Sequence, residues 1–231
     1  YKNNIFVLDD VKFNNKNFFL KSTIAGNKFN IKFSKKNNNY NLVMSSPNLG
    51  LHTKINFTED STYENYSGLA KIKILDSNIK IQFKNNEKIE INKSYFRNNF
   101  LSTTVDGTIE FNPYFNFNLL LDLDYLNIKK IKNQNIFKNI HKFASINSKL
   151  NGDIKLTYNE KKINSRYLNE ANIFISFVNG DIKINKFYLL SDVGDFDLKG
   201  IITNINGFPK LNFYIIINLL DEKKFFKRFK L

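Results

Sequence analysis

Residues 115–125 read FNFNLLLDLDY, and this stretch decides the fold because apolar and polar side chains alternate along it. Phe, Leu and Tyr occupy the odd-numbered positions, whereas Asn or Asp occupies most of the even-numbered ones. Successive side chains of a β-strand point to opposite faces of the sheet, so such a strand has one apolar and one polar face. A period of two therefore predicts a strand that is wetted on one side.

The same alternation recurs along the chain, in FNIKF at 29–33, IKIQF at 79–83 and LNFYIIINL at 211–219. Asn-rich turn signals, such as the three Asn residues at 37–39, separate these stretches at short intervals. Phe, Ile and Tyr are also residue types that suit a pleated surface. The sequence predicts an all-β fold, an elongated, curved, gutter-like antiparallel sheet with one or two short amphipathic helices.

Two segments do not follow this alternation of apolar and polar residues. Residues 133–143 place Ile and Phe at helical spacing, which predicts a short amphipathic helix. Residues 221–230 begin with acids and end with bases, which suits the dipole of a second helix. We therefore expect a first β module at 1–131, a helix at 132–146 and a second β module with a helical tail at 147–231. The first module is expected to be truncated, because the sequence opens on Tyr1 without an initiator Met.

An internal repeat links the two predicted modules. A strand containing Gly107 is followed by Pro113, a long strand and the first helical segment, and the same order returns with Gly200 and Pro209. Each Gly is expected to permit a turn or bulge that a Cβ would obstruct. Proteins built from such units tend to be extended.

The formal net charge of +14 allows two explanations. Attraction to an anionic partner is one, and the AT-rich coding suggested by the abundance of Lys and Asn is the other. The lysines are spread along strand-like stretches and cluster only at 223–230, which favours the compositional explanation. No nucleic-acid partner is expected, because the aromatic residues follow the apolar phase instead of lying on a wet, basic face.

No combination of residues predicts chemistry. The chain has no Cys, and His52 and His141 stand alone. The acids around Gly194 lack the regular oxygen ligands of a calcium loop and favour a hairpin turn. No apolar run reaches the roughly 18 residues of a membrane-spanning helix. We therefore predict a non-enzymatic protein with no catalytic residues, no metal and no cofactor.

The apolar side chains of the two longest alternating stretches form the candidate site. Two hypotheses stay open for it: a groove that binds or conducts lipid, or the sealed core of a structural scaffold that binds partners along its sheet edges. The candidate lipid-binding residues are Phe115, Phe117, Leu119, Leu121, Leu211, Phe213, Ile215 and Ile217.

The second half of the chain resembles the C-terminal region of AsmA-like proteins of Gram-negative bacteria. The resemblance spans about residues 100–231, and more faintly 5–60, and its signals are patterns of strand residues and glycines. The stretches that carry it are VDGTIEF at 105–111 with Pro113, LNGDIKL at 150–156, LNEANIFISFVNGDIKI at 168–184, GDFDLKG at 194–200 and FPKLNF at 208–213.

This resemblance implies a function and a location. AsmA-like proteins are similar to bridge-like lipid-transfer proteins, whose gutter-shaped sheets carry phospholipid between membranes, and they are linked to outer-membrane biogenesis. The resemblance thus implies a periplasmic protein that binds phospholipid or another acyl lipid. It also implies an inner-membrane anchor in a segment outside this chain. It supplies no catalytic residues.

Overall fold

The structure is a computed structural model, and it describes the chain at 6–24, 26–60, 65–127, 130, 151–160, 168–205 and 208–229. The chain divides into two compact units, Tyr1–Asn99 (unit one) and Phe100–Leu231 (unit two). This boundary lies before residue 131, where the sequence placed the end of the first module. The helix predicted at 132–146 lies outside the described residues.

Unit one is a meander in which each strand pairs antiparallel with the next one along the chain. A short 3-10 turn at Pro47–Leu49 joins its fourth and fifth strands. The strands are β1 (Phe6–Phe13), β2 (Asn17–Ile24), β3 (Asn27–Lys36), β4 (Asn39–Ser46), β5 (Leu51–Asp60), β6 (Asn65–Ile74), β7 (Ser77–Asn85) and β8 (Ile89–Arg97).

Unit two holds seven strands and the helix α1 (Glu222–Phe229). Its strands are β9 (Leu101–Glu110), β10 (Asn116–Leu126), β11 (Asn151–Asn159), β12 (Glu170–Val178), β13 (Asp181–Ser191), β14 (Gly194–Ile205) and β15 (Phe208–Leu219). Neighbours pair antiparallel, except that β10 and β11 are parallel. A parallel pair needs a connection of a dozen or more residues. Residues 127–150 supply it here.

The predicted mainly β class is confirmed: the described strands of each unit form an open, curved and mostly antiparallel sheet, and unit two adds a short helix. Register shifts interrupt several pairings, for example between Leu8 and Asp10 in β1 and between Ile184 and Phe187 in β13. Such bulges bend a strand and raise its local twist.

The sheet of each unit is a single layer over most of its area. The extensive contacts of each described strand lie with its neighbours in the chain, and no described sheet packs face to face on another. Among the described residues, a small cluster of buried apolar side chains lies in unit two and consists of Leu123, Tyr158, Leu168 and Ala171. Many large apolar side chains therefore stay exposed or half-buried.

The C-terminal helix predicted from its charge order is present as α1. The carboxylate of Asp221 accepts a hydrogen bond from the backbone N–H of Lys224 at 2.9 Å and forms an ion pair with its ammonium group. These contacts cap the first turn. The hydrogen bond from the Lys224 backbone, followed by that from its side chain, lowers the pKa of Asp221.

Candidate functional site: the apolar face of unit two

The pairing register brings the predicted lipid-binding residues onto one face of unit two. Phe117, Leu119 and Leu121 of β10 lie opposite Gly152, Ile154 and Leu156 of β11. At the other end of the unit, the apolar residues of β15 lie opposite the apolar phase of β14. The strand pairs between them, through β12 and β13, keep the apolar side chains on this same face. We call this surface the apolar face of unit two.

The two groups of predicted residues differ in exposure. Phe117 is only 8% exposed, and Leu119 and Leu121 are half-buried, because β10 has a strand on each side. On β15 the odd-numbered side chains from Leu211 to Ile217 are all exposed, with Ile215 at 48%. Only β14 pairs with β15 among the described residues, so the last row of the face lacks a neighbour.

Glycines on this face make room for Phe rings. A Cβ on Gly152 would lie 2.3 Å from the backbone oxygen of Phe117 and 2.7 Å from its ring. A Cβ on Gly200 would lie 2.2 Å from the ring of Phe213. Gly200 lies inside β14, where its pairing with Phe213 of β15 continues in register, whereas its pairing with Ile184 of β13 stands next to a register shift. This glycine lets a ring lie over the neighbouring strand.

One end of the face carries a chain of Phe rings. Phe115 precedes β10, and its ring centroid lies 5.6 Å from Phe111 and 6.0 Å from Phe117. The ring of Phe117 in turn lies 5.7 Å from that of Phe177. These distances fall in the range of tilted aromatic pairs. The chain of rings continues from buried Phe117 to the exposed Phe111.

The other end of the face forms an apolar pocket of about 450 Å³ beside α1. Ile217 is the only one of the predicted residues that lines it. The sequence missed the others, since the run FYLL at 187–190 is apolar at every position and has no clear alternation. The apolar lining also includes Leu168, Phe187, Leu189, Val193, Phe196, Leu219 and Phe225.

A buried phenol packs with Leu168 in the small apolar core. The hydroxyl of Tyr158 donates a hydrogen bond of 2.7 Å to the Glu160 carboxylate. Burial, and then this carboxylate, raise the pKa of Tyr158. The folded state therefore holds the neutral phenol at pH values at which the phenol of an unfolded chain, with a pKa near 10.0, ionises.

Tyr158 should make the fold sensitive to alkali. Because its pKa is raised by folding, stability is full below pH 10 and falls as the pH rises further, by up to about 1.4 kcal/mol per pH unit for one proton. Tyr158→Phe removes this dependence and costs about 1 kcal/mol at pH 7 through the lost hydrogen bond. Urea unfolding of both proteins from pH 7 to 11 tests it. If the free energy of unfolding falls equally in the two proteins above pH 10, the effect belongs to other groups and not to Tyr158.

Unit one carries a second apolar face that the candidate residues did not include. The alternation at 29–33 and 79–83 had signalled its strands, but their common face appears only from the register. On it, the rings of Phe33, Tyr40, Phe57 and Tyr66 form a ladder across β3 to β6, with Tyr40 and Phe57 stacked at 4.8 Å. Glu59 accepts a hydrogen bond from the Tyr40 hydroxyl at the end of this ladder.

The acids around Gly194 lie at a hairpin turn, with Asp192 in the turn and Asp195 and Asp197 in β14. Asp192 and Val193 make the tight connection between β13 and β14, as the sequence predicted, and Asp195 accepts a hydrogen bond of 2.9 Å from the Asn218 side chain. Within the described part of the chain, no three His, Asp or Glu residues are grouped so as to hold a metal ion. No helix among those residues is long and apolar enough to cross a membrane.

Comparison with known proteins adds no family to these observations. The sequence matches no protein-family model, and no curated protein is significantly similar to it. The site is therefore characterised by its own geometry, an apolar sheet face that is buried at β10, exposed at β15 and ends in a pocket beside α1.

Proposed function

We propose that unit two is a non-enzymatic lipid-binding module whose apolar face holds acyl chains. The observation that carries the proposal is the exposed apolar row of β15, which continues into the pocket beside α1. Exposed contiguous apolar surface of this kind marks sites for ligands, membranes or protein partners. In a conventional sandwich this row would be covered by a second sheet.

The chemistry of the face suits an acyl chain. Its exposed part consists of Leu, Phe and Ile side chains, which give apolar contact without a required hydrogen-bond partner. Burying one methylene group contributes about 0.8 kcal/mol, so a chain of ordinary length can be held by apolar contact alone. The pocket beside α1 would take the end of such a chain, with Ile217 joining it to the β15 row.

The resemblance to AsmA-like proteins supports the same proposal and makes it more specific. It adds phospholipid as the lipid, transport between membranes as the process, and the periplasm as the location, with an inner-membrane anchor outside this chain. Each of these is a proposal that lipid identification and localisation in cells would test.

Two adjacent residues of β15 provide a matched test. Ile215 is on the apolar face, opposite Leu198, whereas Ile216 is on the other face, opposite Asp197, and their exposures are 48% and 39%. Ile215→Asp should abolish retention of phospholipid after purification in mild detergent, as measured by native mass spectrometry. Ile216→Asn should leave that retention unchanged, because its side chain lies on the polar face, and the neutral amide avoids a second carboxylate opposite Asp197.

The outcomes separate the hypotheses. Equal lipid retention in the two variants and the unsubstituted chain would contradict binding at this face. A lipid-free unsubstituted chain of normal stability would favour the scaffold hypothesis, with the edge of β15 as the surface for a partner strand.

A further inference from the structure

The polar face of unit one gathers lysines that are far apart in the sequence. On β5, β6 and β7, Lys54 lies directly opposite Lys71, which lies directly opposite Lys80. The same cross-strand row continues through Val43 to Lys32, and then through Phe19 to Lys12. We call these five lysines the basic row.

A second cationic row runs beside it. Lys73 of β6 lies opposite His52 of β5 and opposite Asn78 of β7, which itself lies opposite Arg97 of β8. At the other end of this row, Lys21 of β2 lies opposite Asn30 of β3. Neighbouring strands are about 4.8 Å apart, so the two rows together form a cationic array about 34 Å wide from β1 to β8.

The array is poorly neutralised by the chain itself. In the described residues, Lys12 forms an ion pair with Asp10 at 3.7 Å, whereas Lys32, Lys54 and Lys71 form none. These three side chains are exposed to solvent. Like charges directly opposite each other destabilise a sheet. An anionic partner would remove that repulsion.

Coding bias does not explain this arrangement. A bias toward Lys acts on both units, yet the polar face of unit two carries many acids. That face holds Lys155, Lys183, Lys186, Lys199 and Lys210 together with Asp106, Glu110, Asp122, Asp153, Glu170, Asp195 and Asp197. The excess of cations over acids is a property of the polar face of unit one.

We propose that the basic face of unit one docks onto an anionic membrane surface. The aromatic rings on this face are already covered by cations of the chain, Phe19 by Lys21 at 5.6 Å and Tyr95 by Arg97 at 4.6 Å. They are therefore poorly placed to stack on nucleic-acid bases. What the face offers is a broad array of ammonium groups, which matches the phosphates and carboxylates of lipid headgroups. The inference uses charge in unit one and does not rest on acyl-chain binding in unit two.

Vesicle binding tests the proposal. A lysine close to an anionic membrane strengthens binding by about fivefold. The triple variant Lys32→Gln, Lys54→Gln, Lys71→Gln should therefore bind about one hundredfold more weakly to phosphatidylcholine vesicles containing about one-third phosphatidylserine. The matched control is Lys183→Gln, Lys199→Gln, Lys210→Gln, which removes the same charge from exposed positions of unit two and should weaken binding by less than about threefold.

The full chain is used throughout, and sedimentation with the vesicles gives the affinities. Binding that falls steeply with added salt and is absent with pure phosphatidylcholine supports the proposal. Equal weakening by the two triple variants, or equal binding to neutral vesicles, would overturn it. Tighter binding to duplex DNA than to the anionic vesicles at the same salt concentration would also overturn it, in favour of a nucleic-acid partner. Circular dichroism of both variants checks that they fold.

Discussion

Gly152→Ala is expected to lower the free energy of unfolding by about 3 kcal/mol or more. The added methyl group would lie 2.3 Å from the backbone oxygen of Phe117, and backbone on a paired strand cannot turn away as a long side chain can. The substituted residue would also keep a φ of +146°, which L side chains rarely adopt. Both the close contact and the backbone conformation oppose the substitution.

Gly26→Ala is the matched control, since it makes the same chemical change at another glycine of positive φ. Gly26 has a φ of +79°, but a Cβ there meets nothing within 4 Å. Only the cost of placing Ala at a positive φ remains, about 1 kcal/mol. Urea unfolding of the two variants at one pH separates the terms. Equal losses would mean that the strands around Gly152 shift enough to accommodate the methyl group at no further cost.

Phe117→Ala is expected to cost about 3–5 kcal/mol, as for other buried Phe residues. Phe213 has the same chemistry and also lies over a glycine, but it is 37% exposed at the edge strand. Phe213→Ala should therefore cost much less, about 1 kcal/mol, since less apolar surface is lost. Denaturant midpoints, with slopes that stay the same, measure the two costs.

The pair also assigns roles within the apolar face. If the face binds acyl chains, Phe213→Ala should reduce lipid retention while the chain stays folded, whereas Phe117→Ala should act mainly through stability. Similar costs for the two substitutions would show that β15 is covered in solution, by another copy or by a partner. Phe117 is accordingly a poor position at which to test lipid binding by introducing a charge, and Ile215 is a better one.

The period of two in the sequence predicted much of this fold. It identified several strands and the apolar side of each, and seven of the eight candidate residues lie on the apolar face through β10 and β15, whereas Phe115 precedes β10. It did not show which strands are neighbours, because pairing depends on turns and on contacts between distant residues. Hence the parallel pairing of β10 with β11, the pocket around Phe187 and Phe196, and the row from Lys12 to Lys80 were not predicted.

Exposure was the second property that the sequence could not supply. Phe117 and Ile215 have the same place in the same pattern, yet one is buried and the other is open. The difference comes from the number of neighbouring strands, which among the described residues is two for β10 and one for β15. An alternating pattern records which face a side chain occupies, and it contains no information about what covers that face.

The parallel pair β10–β11 also has a consequence for the order of folding. The antiparallel neighbours can form as local hairpins, which takes microseconds. Joining β10 to β11 requires closure of the long connection at 127–150, and the entropy of that closure opposes folding until the pair has formed. We therefore expect the β9–β10 hairpin and the β11–β15 meander to form early and to join late. Substitutions at Gly152, whose contacts cross this junction, should accelerate unfolding more than they slow folding.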